Sequence, residues 1–109
     1  MLCRVDDVFK ALADDSRRAL LDALRERDGQ TLNELCTVRP DMTRFGVMKH
    51  LRVLEDAHLV LTERSGRTKL HYLNAIPIRE IHDRWIAPYR APIVAGLLAL
   101  RDRAEGVTA

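Results

Sequence analysis

Phe45, Lys49 and Arg52 fall at spacings that a helix would gather on one side, with Met48 beside them and Thr43 and Arg44 just ahead, and Arg64, Arg67 and Lys69 bracket Gly66 further along the chain. A guanidinium fork matches the O6 and N7 acceptors of guanine, which makes Arg44 the first candidate for reading a base edge and Lys49 the second. Phe45 and Met48 offer apolar contacts of the kind a thymine methyl accepts. Thr43 combines a hydroxyl with the free amides of a helix start, a pairing suited to a phosphate oxygen. Arg64, Arg67 and Lys69 would form a projecting cationic tip for a phosphate backbone or a flanking minor groove. The chemistry these residues can do together is the recognition of double-stranded DNA.

Whether they act together depends on the elements that carry them. Val5, Val8, Phe9, Leu12 and Ala13 follow one face of a helix over about residues 4–13. Asp14, Asp15 and Ser16 supply a cap and first-turn acids for a second helix with Leu20, Leu21, Ala23 and Leu24 inward, ending before Gly29. Thr31 and Glu34 have the T-x-x-E form of a capping box, so a short helix should begin at Leu32 and stop before Pro40. Thr43 can cap a further helix running to about Ala57. With Val47 at zero and about 100° per residue, Leu51 and Leu54 lie near 40° and −20°, whereas Phe45, Lys49 and Arg52 lie near 160°, 200° and 140°. The apolar and cationic faces are opposite each other, with Met48 on the flank and Arg44 in the exposed first turn.

Residues 59–64 and 68–73 read as two strands joined through Ser65, Gly66 and Arg67. Asn74 can cap a last helix with Pro77 in its first turn and Ile78, Ile81, Trp85 and Ile86 inward; Pro88 should break it before a final segment with Ile93, Leu97 and Leu100. This order predicts a mainly α fold with a small β-hairpin, a winged helix-turn-helix spanning residues 1–109 as one domain. The helix-turn-helix occupies about 32–57, the wing about 59–73 and the C-terminal helices about 75–105. A charged helix face is usually only solvated, and basic Gly turns occur in hairpins that bind nothing. Their coincidence at the correct relative position, with an exposed Phe45 that a solvated face does not require, favours DNA.

Composition narrows the alternatives. The 109 residues carry a net charge of +2, neither a basic coating protein nor an acidic tail. The distribution is uneven: residues 1–38 hold 6 basic and 8 acidic groups (−2), residues 39–69 hold 7 and 4 (+3), and residues 70–109 hold 5 and 4 (+1). Cys3 and Cys36 stand singly, against a disulfide scaffold or zinc knuckle and in keeping with a reducing compartment. Asp6 and Asp7 argue against a signal peptide, and the apolar run over 91–100 is well short of the roughly 20 residues that span a bilayer. A cytoplasmic, membrane-free protein is expected. An enzyme is not: no nucleophile is paired with a base, no phosphate loop is present, and no cofactor motif occurs.

Residues 9–18 (FKALADDSRR), residues 48–60 (MKHLRVLEDAHLV), and Gly66 and Arg67 leading to Tyr72, Leu73 and Asn74 resemble the ArsR-type winged-helix transcriptional regulators of prokaryotes. The resemblance covers about Val5 to Glu105 and implies a homodimer that binds an operator and represses until a signal releases it. It departs from the arsenic-sensing members, whose C-V-C pair is replaced by Thr31, Leu32 and Asn33, so both thiolate ligands are missing. The subgroup with Asp, His, His and Glu on the last helix is not matched either, since only His82 and Asp83 occur there. No metal site is therefore expected, Cys36 reads as a buried inert thiol, and any small-molecule effector is of unknown identity. His50 reads as a packing or phosphate-bonding residue, and His58 as a structural residue at a left-handed turn.

The first helix and the last two segments show more apolar surface than one domain of this size covers, notably Val5, Phe9, Trp85, Ile86, Ile93, Val94, Leu97 and Leu98. A two-fold dimer through these residues would set two recognition helices about 34 Å apart, in successive major grooves of a pseudo-palindromic site. The rival reading is a protein-interaction module that uses the same scaffold without binding DNA.

Overall fold

The computed structural model describes residues 5–106 of the chain. Cys3, and Arg4 at the expected start of the first helix, lie outside the described residues. The chain divides into two compact units, Met1–Ile78 and Arg79–Ala109. The described residues hold six helices and one antiparallel hairpin, in the order α1 (Val5–Leu12), α2 (Asp15–Glu26), α3 (Leu32–Cys36), α4 (Arg44–Asp56), β1 (Val60–Ser65), β2 (Thr68–Leu73), α5 (Ile76–Trp85) and α6 (Ala91–Ala104).

Local capping sets the helix starts. Asp14 accepts a hydrogen bond from the Arg17 amide at 3.0 Å and opens α2. Thr31 and Glu34 form the reciprocal capping box of α3: the Glu34 amide donates to Thr31 Oγ1 and the Thr31 amide donates to Glu34 Oε1 at 2.9 Å. Thr43 Oγ1 accepts from the Gly46 amide at 3.0 Å and opens α4. Each cap satisfies an amide that the first helical turn leaves without a partner.

The core of the first unit is aliphatic. Val8 and Ala11 of α1, Leu20, Leu21 and Leu24 of α2, Leu35 of α3, and Val47, Leu51 and Leu54 of α4 are buried together with Ala57, Leu59 and Val60. Three of these, Val47, Leu51 and Leu54, are the stripe expected for α4. In α1 the buried row is narrower than expected: Val8 and Ala11 face inward, Leu12 is half-buried, and Val5, Phe9 and Ala13 are exposed, Phe9 to 46%. A helix of only 8 residues docks along one i, i+3 row, which leaves its flanks uncovered.

His58 takes φ of +62° directly after α4, the left-handed conformation expected there, and Asn74 donates through Nδ2 to its carbonyl at 2.7 Å. The chain then enters the hairpin, which pairs from Val60 with Leu73 to Ser65 with Thr68. Gly66, at φ +64°, turns it. Gln30 adds a bridge to His71 on the free edge of β2, so the wing is tied to the start of α3.

In the second unit, α5 ends at Trp85, before Pro88, and α6 starts at Ala91 with Pro92 in its first turn. Trp85, Ile86, Ile93, Val94, Leu97 and Leu98 are all exposed, and so is Ile78, while Ile81 is half-buried. The inward placement expected for Ile78, Trp85 and Ile86 is thus not found among the described residues, whereas Pro77 of α5 is buried. No helix among the described residues is long and apolar enough to cross a membrane.

Candidate nucleic-acid interface

The outward face of α4 and the wing enclose an open groove of about 590 Å³. Arg44, Phe45, Met48, Lys49 and Arg52 reach it from α4, and Arg67 and Lys69 reach it from the hairpin. Of the residues expected from sequence to meet DNA, Thr43 and Arg64 are the two that do not line it. Five cationic side chains against one carboxylate, Glu55, leave a formal charge of +4 along the groove. Low-dielectric walls and one sign of charge concentrate the field that an entering polyanion meets.

Each of these side chains has a definite setting. Arg44 donates through Nη1 to Asn33 Oδ1 on α3, so its guanidinium is held across the helix-turn-helix pair. The Lys49 ammonium lies 5.6 Å from the centroid of the Phe45 ring, and Phe45 itself is 68% exposed. Arg52 and Asp56 form an exposed i, i+4 pair at 4.0 Å. Lys69 Nζ lies 3.3 Å from Glu55 Oε1, an ion pair that joins wing to α4 and partly neutralises the lysine. The side chains of Arg64 and Arg67 have no hydrogen-bond or ion-pair partner among the described residues. Thr43 Oγ1 is occupied as an acceptor by the Gly46 amide, which leaves its hydroxyl proton free to donate.

Two polar anchors set the position of the groove walls. Arg17 donates from Nε to the Ala11 carbonyl at 2.8 Å and from Nη2 to the Lys10 carbonyl at 3.0 Å, while its Nη1 lies 3.2 Å from His50 Nδ1 on α4. Asp14 Oδ2 is 3.8 Å from the same imidazole nitrogen. The hydrogen bond from the Arg17 amide above all holds the Asp14 carboxyl below its ordinary value, against the opposing effect of burial and with smaller help from the neighbouring His50 and Arg17. His50 therefore packs between helices, as one of its two expected roles. The second anchor is His71, only 3% exposed, whose backbone amide and Nδ1 both lie 2.9 Å from the Gln30 carbonyl oxygen.

Sequence reasoning missed Asn33, Glu55 and His71 as members of the groove. Asn33 carried the signal of lying in the first turn of the helix before the recognition helix. Nothing local marks His71, whose partner is 41 residues away. Among the described residues no three His, Cys, Asp or Glu side chains are grouped to hold a metal ion. Cys36 is half-buried with a free thiol, not fully buried as expected.

A helix pair with a capped, outward-facing second helix and an adjoining two-stranded wing defines the winged helix-turn-helix class of DNA-binding folds. The family model described as a helix-turn-helix domain matches residues 12–63. The chain is 42% identical over 87 residues to the HTH-type transcriptional regulator YuzN of Bacillus subtilis strain 168, covering 74% of this chain and 94% of that one. Among solved structures it is similar to the ArsR family transcriptional regulator RHA00566, with 33% identity, a TM-score of 0.66 and coverage of 76% of this chain and 88% of that one. It shares its fold with the homodimeric winged helix-turn-helix DNA-binding domain of Mb0332 from Mycobacterium bovis, with 19% identity, a TM-score of 0.61 and coverage of 94% and 82%. The chain belongs to the ArsR family of winged helix-turn-helix transcriptional regulators, a family of regulators and not of enzymes.

Proposed function

We propose that the chain acts as a homodimeric, cytoplasmic repressor that reads a pseudo-palindromic operator with α4 in the major groove and the wing against the flanking backbone. The observation that carries this reading is the groove that gathers Arg44, Phe45, Met48, Lys49, Arg52, Arg67 and Lys69 beside a single carboxylate. Arg44 reads a guanine edge, Lys49 a second base or phosphate, and Phe45 and Met48 meet thymine methyls. Arg52, Arg64 and Arg67 contact phosphates, Lys69 does so to the extent that Glu55 releases it, and Thr43 donates to a phosphate at the start of α4. Residues 32–57, 59–73 and 75–105 serve as helix-turn-helix, wing and dimerisation helices of one functional domain.

Dimerisation is supported by the large apolar side chains of Val5, Phe9, Trp85, Ile86, Ile93, Val94, Leu97 and Leu98, all of which are exposed in the single chain. The homodimeric state of the Mycobacterium bovis domain, which shares the fold, agrees with it. Sequencing of genomic DNA associated with the protein would identify the operator. Titration of that duplex and of a random one at several salt concentrations then tests the reading. Salt-dependent binding that prefers the operator is expected, together with a dimer in sedimentation at micromolar concentration. A stable monomer would refute the dimer, and absence of salt-dependent duplex binding would favour a protein-interaction module instead.

A further inference from the structure

We propose that Asn33, on the helix before the recognition helix, is a specificity-determining residue: it gives Arg44 a second resting place, so that the groove tolerates bases other than guanine at the Arg44 position. The inference rests on the DNA-binding reading above, with Arg44 as a base-reading residue. Arg44 Nη1 donates to Asn33 Oδ1, the only hydrogen bond or ion pair of the Arg44 side chain among the described residues. A guanidinium can only donate, so it turns the amide oxygen of Asn33 towards itself. Both residues are exposed and both line the groove, Asn33 from α3 and Arg44 from the first turn of α4. Glu55, the one carboxylate of the groove, does not compete for the guanidinium, because Lys69 holds it at 3.3 Å. Asn33 is the second helical residue of α3, whose capping box is made by Thr31 and Glu34 without it. Its side chain is therefore free to serve Arg44.

Which resting place the arginine takes depends on the base it meets. Guanine presents O6 and N7 to both arms of the fork, so leaving Asn33 exchanges one hydrogen bond for two. In place of that guanine, adenine presents N7 beside an N6 donor, thymine presents O4 alone, and cytosine presents only its N4 donor. Exchange then gains nothing or loses, and Arg44 stays on Asn33 with its hydrogen bond intact. Without Asn33 the same guanidinium, carried into the groove against a wrong base, would leave donors unsatisfied as water is excluded, and the wrong base would be penalised more heavily. Asn33 thus lowers affinity for guanine by the bond that must be given up, and it softens the penalty for every other base. Discrimination at this position is set by α3 as well as by α4.

The test uses the full chain, the operator duplex found by genomic sequencing, and the same duplex with each guanine replaced in turn by the other bases. The guanine that Arg44 reads is the one whose preference Arg44→Ala abolishes. In anisotropy titrations at one salt concentration, Asn33→Ala should bind the operator roughly 2- to 5-fold more tightly, the worth of one exposed hydrogen bond no longer given up. Duplexes substituted at that guanine should tighten less or weaken, so the preference for guanine widens. Asn33→Asp, whose carboxylate holds Arg44 more firmly, should bind the operator less tightly and narrow the preference. The added carboxylate also repels phosphate, but that effect is common to all the duplexes and leaves their ratio alone. Both residues suit the first turn of a helix, and a merely structural role for Asn33 would move both variants in the same direction. Weaker operator binding or a narrower guanine preference in Asn33→Ala, as expected if Arg44 kept Asn33 while on the base, overturns the inference alone. So does a preference that Asn33→Asp leaves unchanged or widens. If Arg44→Ala abolishes no base preference, Arg44 does not read a base and the inference falls with that assignment, whereas absence of duplex binding overturns the DNA reading itself.

Discussion

Removing the guanidinium of Arg44 gives the sharpest test of how the groove reads sequence. A bidentate arginine-guanine contact contributes about 1–3 kcal/mol of discrimination. In the free protein Arg44 already donates to Asn33 Oδ1, and this hydrogen bond must be exchanged for the base. An exposed bond of that kind offsets roughly 0.5–1 kcal/mol. Arg44→Ala should therefore weaken operator binding by about 1–2 kcal/mol, roughly 5- to 30-fold. Binding to random duplex should change much less, because only one of the five groove cations is lost. Anisotropy titrations on both duplexes at the same salt measure the ratio directly. Arg44→Lys should fail to restore it, since an ammonium cannot form the fork. Equal losses on operator and random duplex would show that Arg44 only neutralises phosphate.

Further expectations concern the wing, the caps and the core. Arg67→Ala, which removes an unpartnered cation at the hairpin tip, should weaken all sequences alike and reduce the salt slope by about 0.9, read from binding between low and moderate salt. Thr31→Ala removes the Oγ1 that accepts from the Glu34 amide, leaving only the backbone half of the α3 capping box, and should cost about 0.5–2 kcal/mol in denaturant unfolding. Leu54→Ala, at a fully buried position of α4, should cost about 2–5 kcal/mol and lower the thermal midpoint by many degrees. Asp14 has a carboxyl pKa depressed by folding, so its contribution is present above the ordinary carboxylate range and is lost as pH falls through that range and below. Unfolding measured between about pH 5 and 3 should show this loss in the wild type and a shallower decline in Asp14→Asn.

Much of this arrangement is legible in the sequence because it is decided locally. Asp14, Thr31 and Thr43 mark three helix starts through bonds spanning three residues, and the spacing of Val47, Leu51 and Leu54 fixes which side of α4 turns inward. Gly66 and the left-handed His58 mark the two ends of β1 for the same reason. The remainder depends on which elements meet. Lys69 looks like a free cation until the hairpin is folded beside Glu55, and Arg44 looks unattached until α3 brings Asn33 across. Phe9 fits the apolar period of α1, but α1 docks on the row of Val8 and Ala11, so periodicity alone assigns it to the wrong side. Trp85 and Ile86 follow the same logic, because a helical period identifies an apolar face without saying whether this chain covers it.

The precision required of a base-reading helix gives the long-range contacts their significance. A single-residue slip in the roll of α4 moves every side chain about 100° around its axis, which would carry Lys49 towards the core and lift Leu51 or Leu54 out. Burial of Val47, Leu51 and Leu54 opposes that roll on one side, and the contact of His50 with Arg17 opposes it on the flank. Arg17 in turn is fixed by two carbonyls at the end of α1, so the α4 anchor extends into the helix that carries Val5 and Phe9. The wing has its own anchor, since His71 and Gln30 exchange backbone hydrogen bonds while the imidazole adds a third contact. Groove width is thereby set by two buried or half-buried histidine contacts on opposite walls, both independent of the exposed cations. Those cations can then vary with the operator without disturbing the frame that aims them, and a change at Arg17 or His71 should alter affinity for every sequence at once.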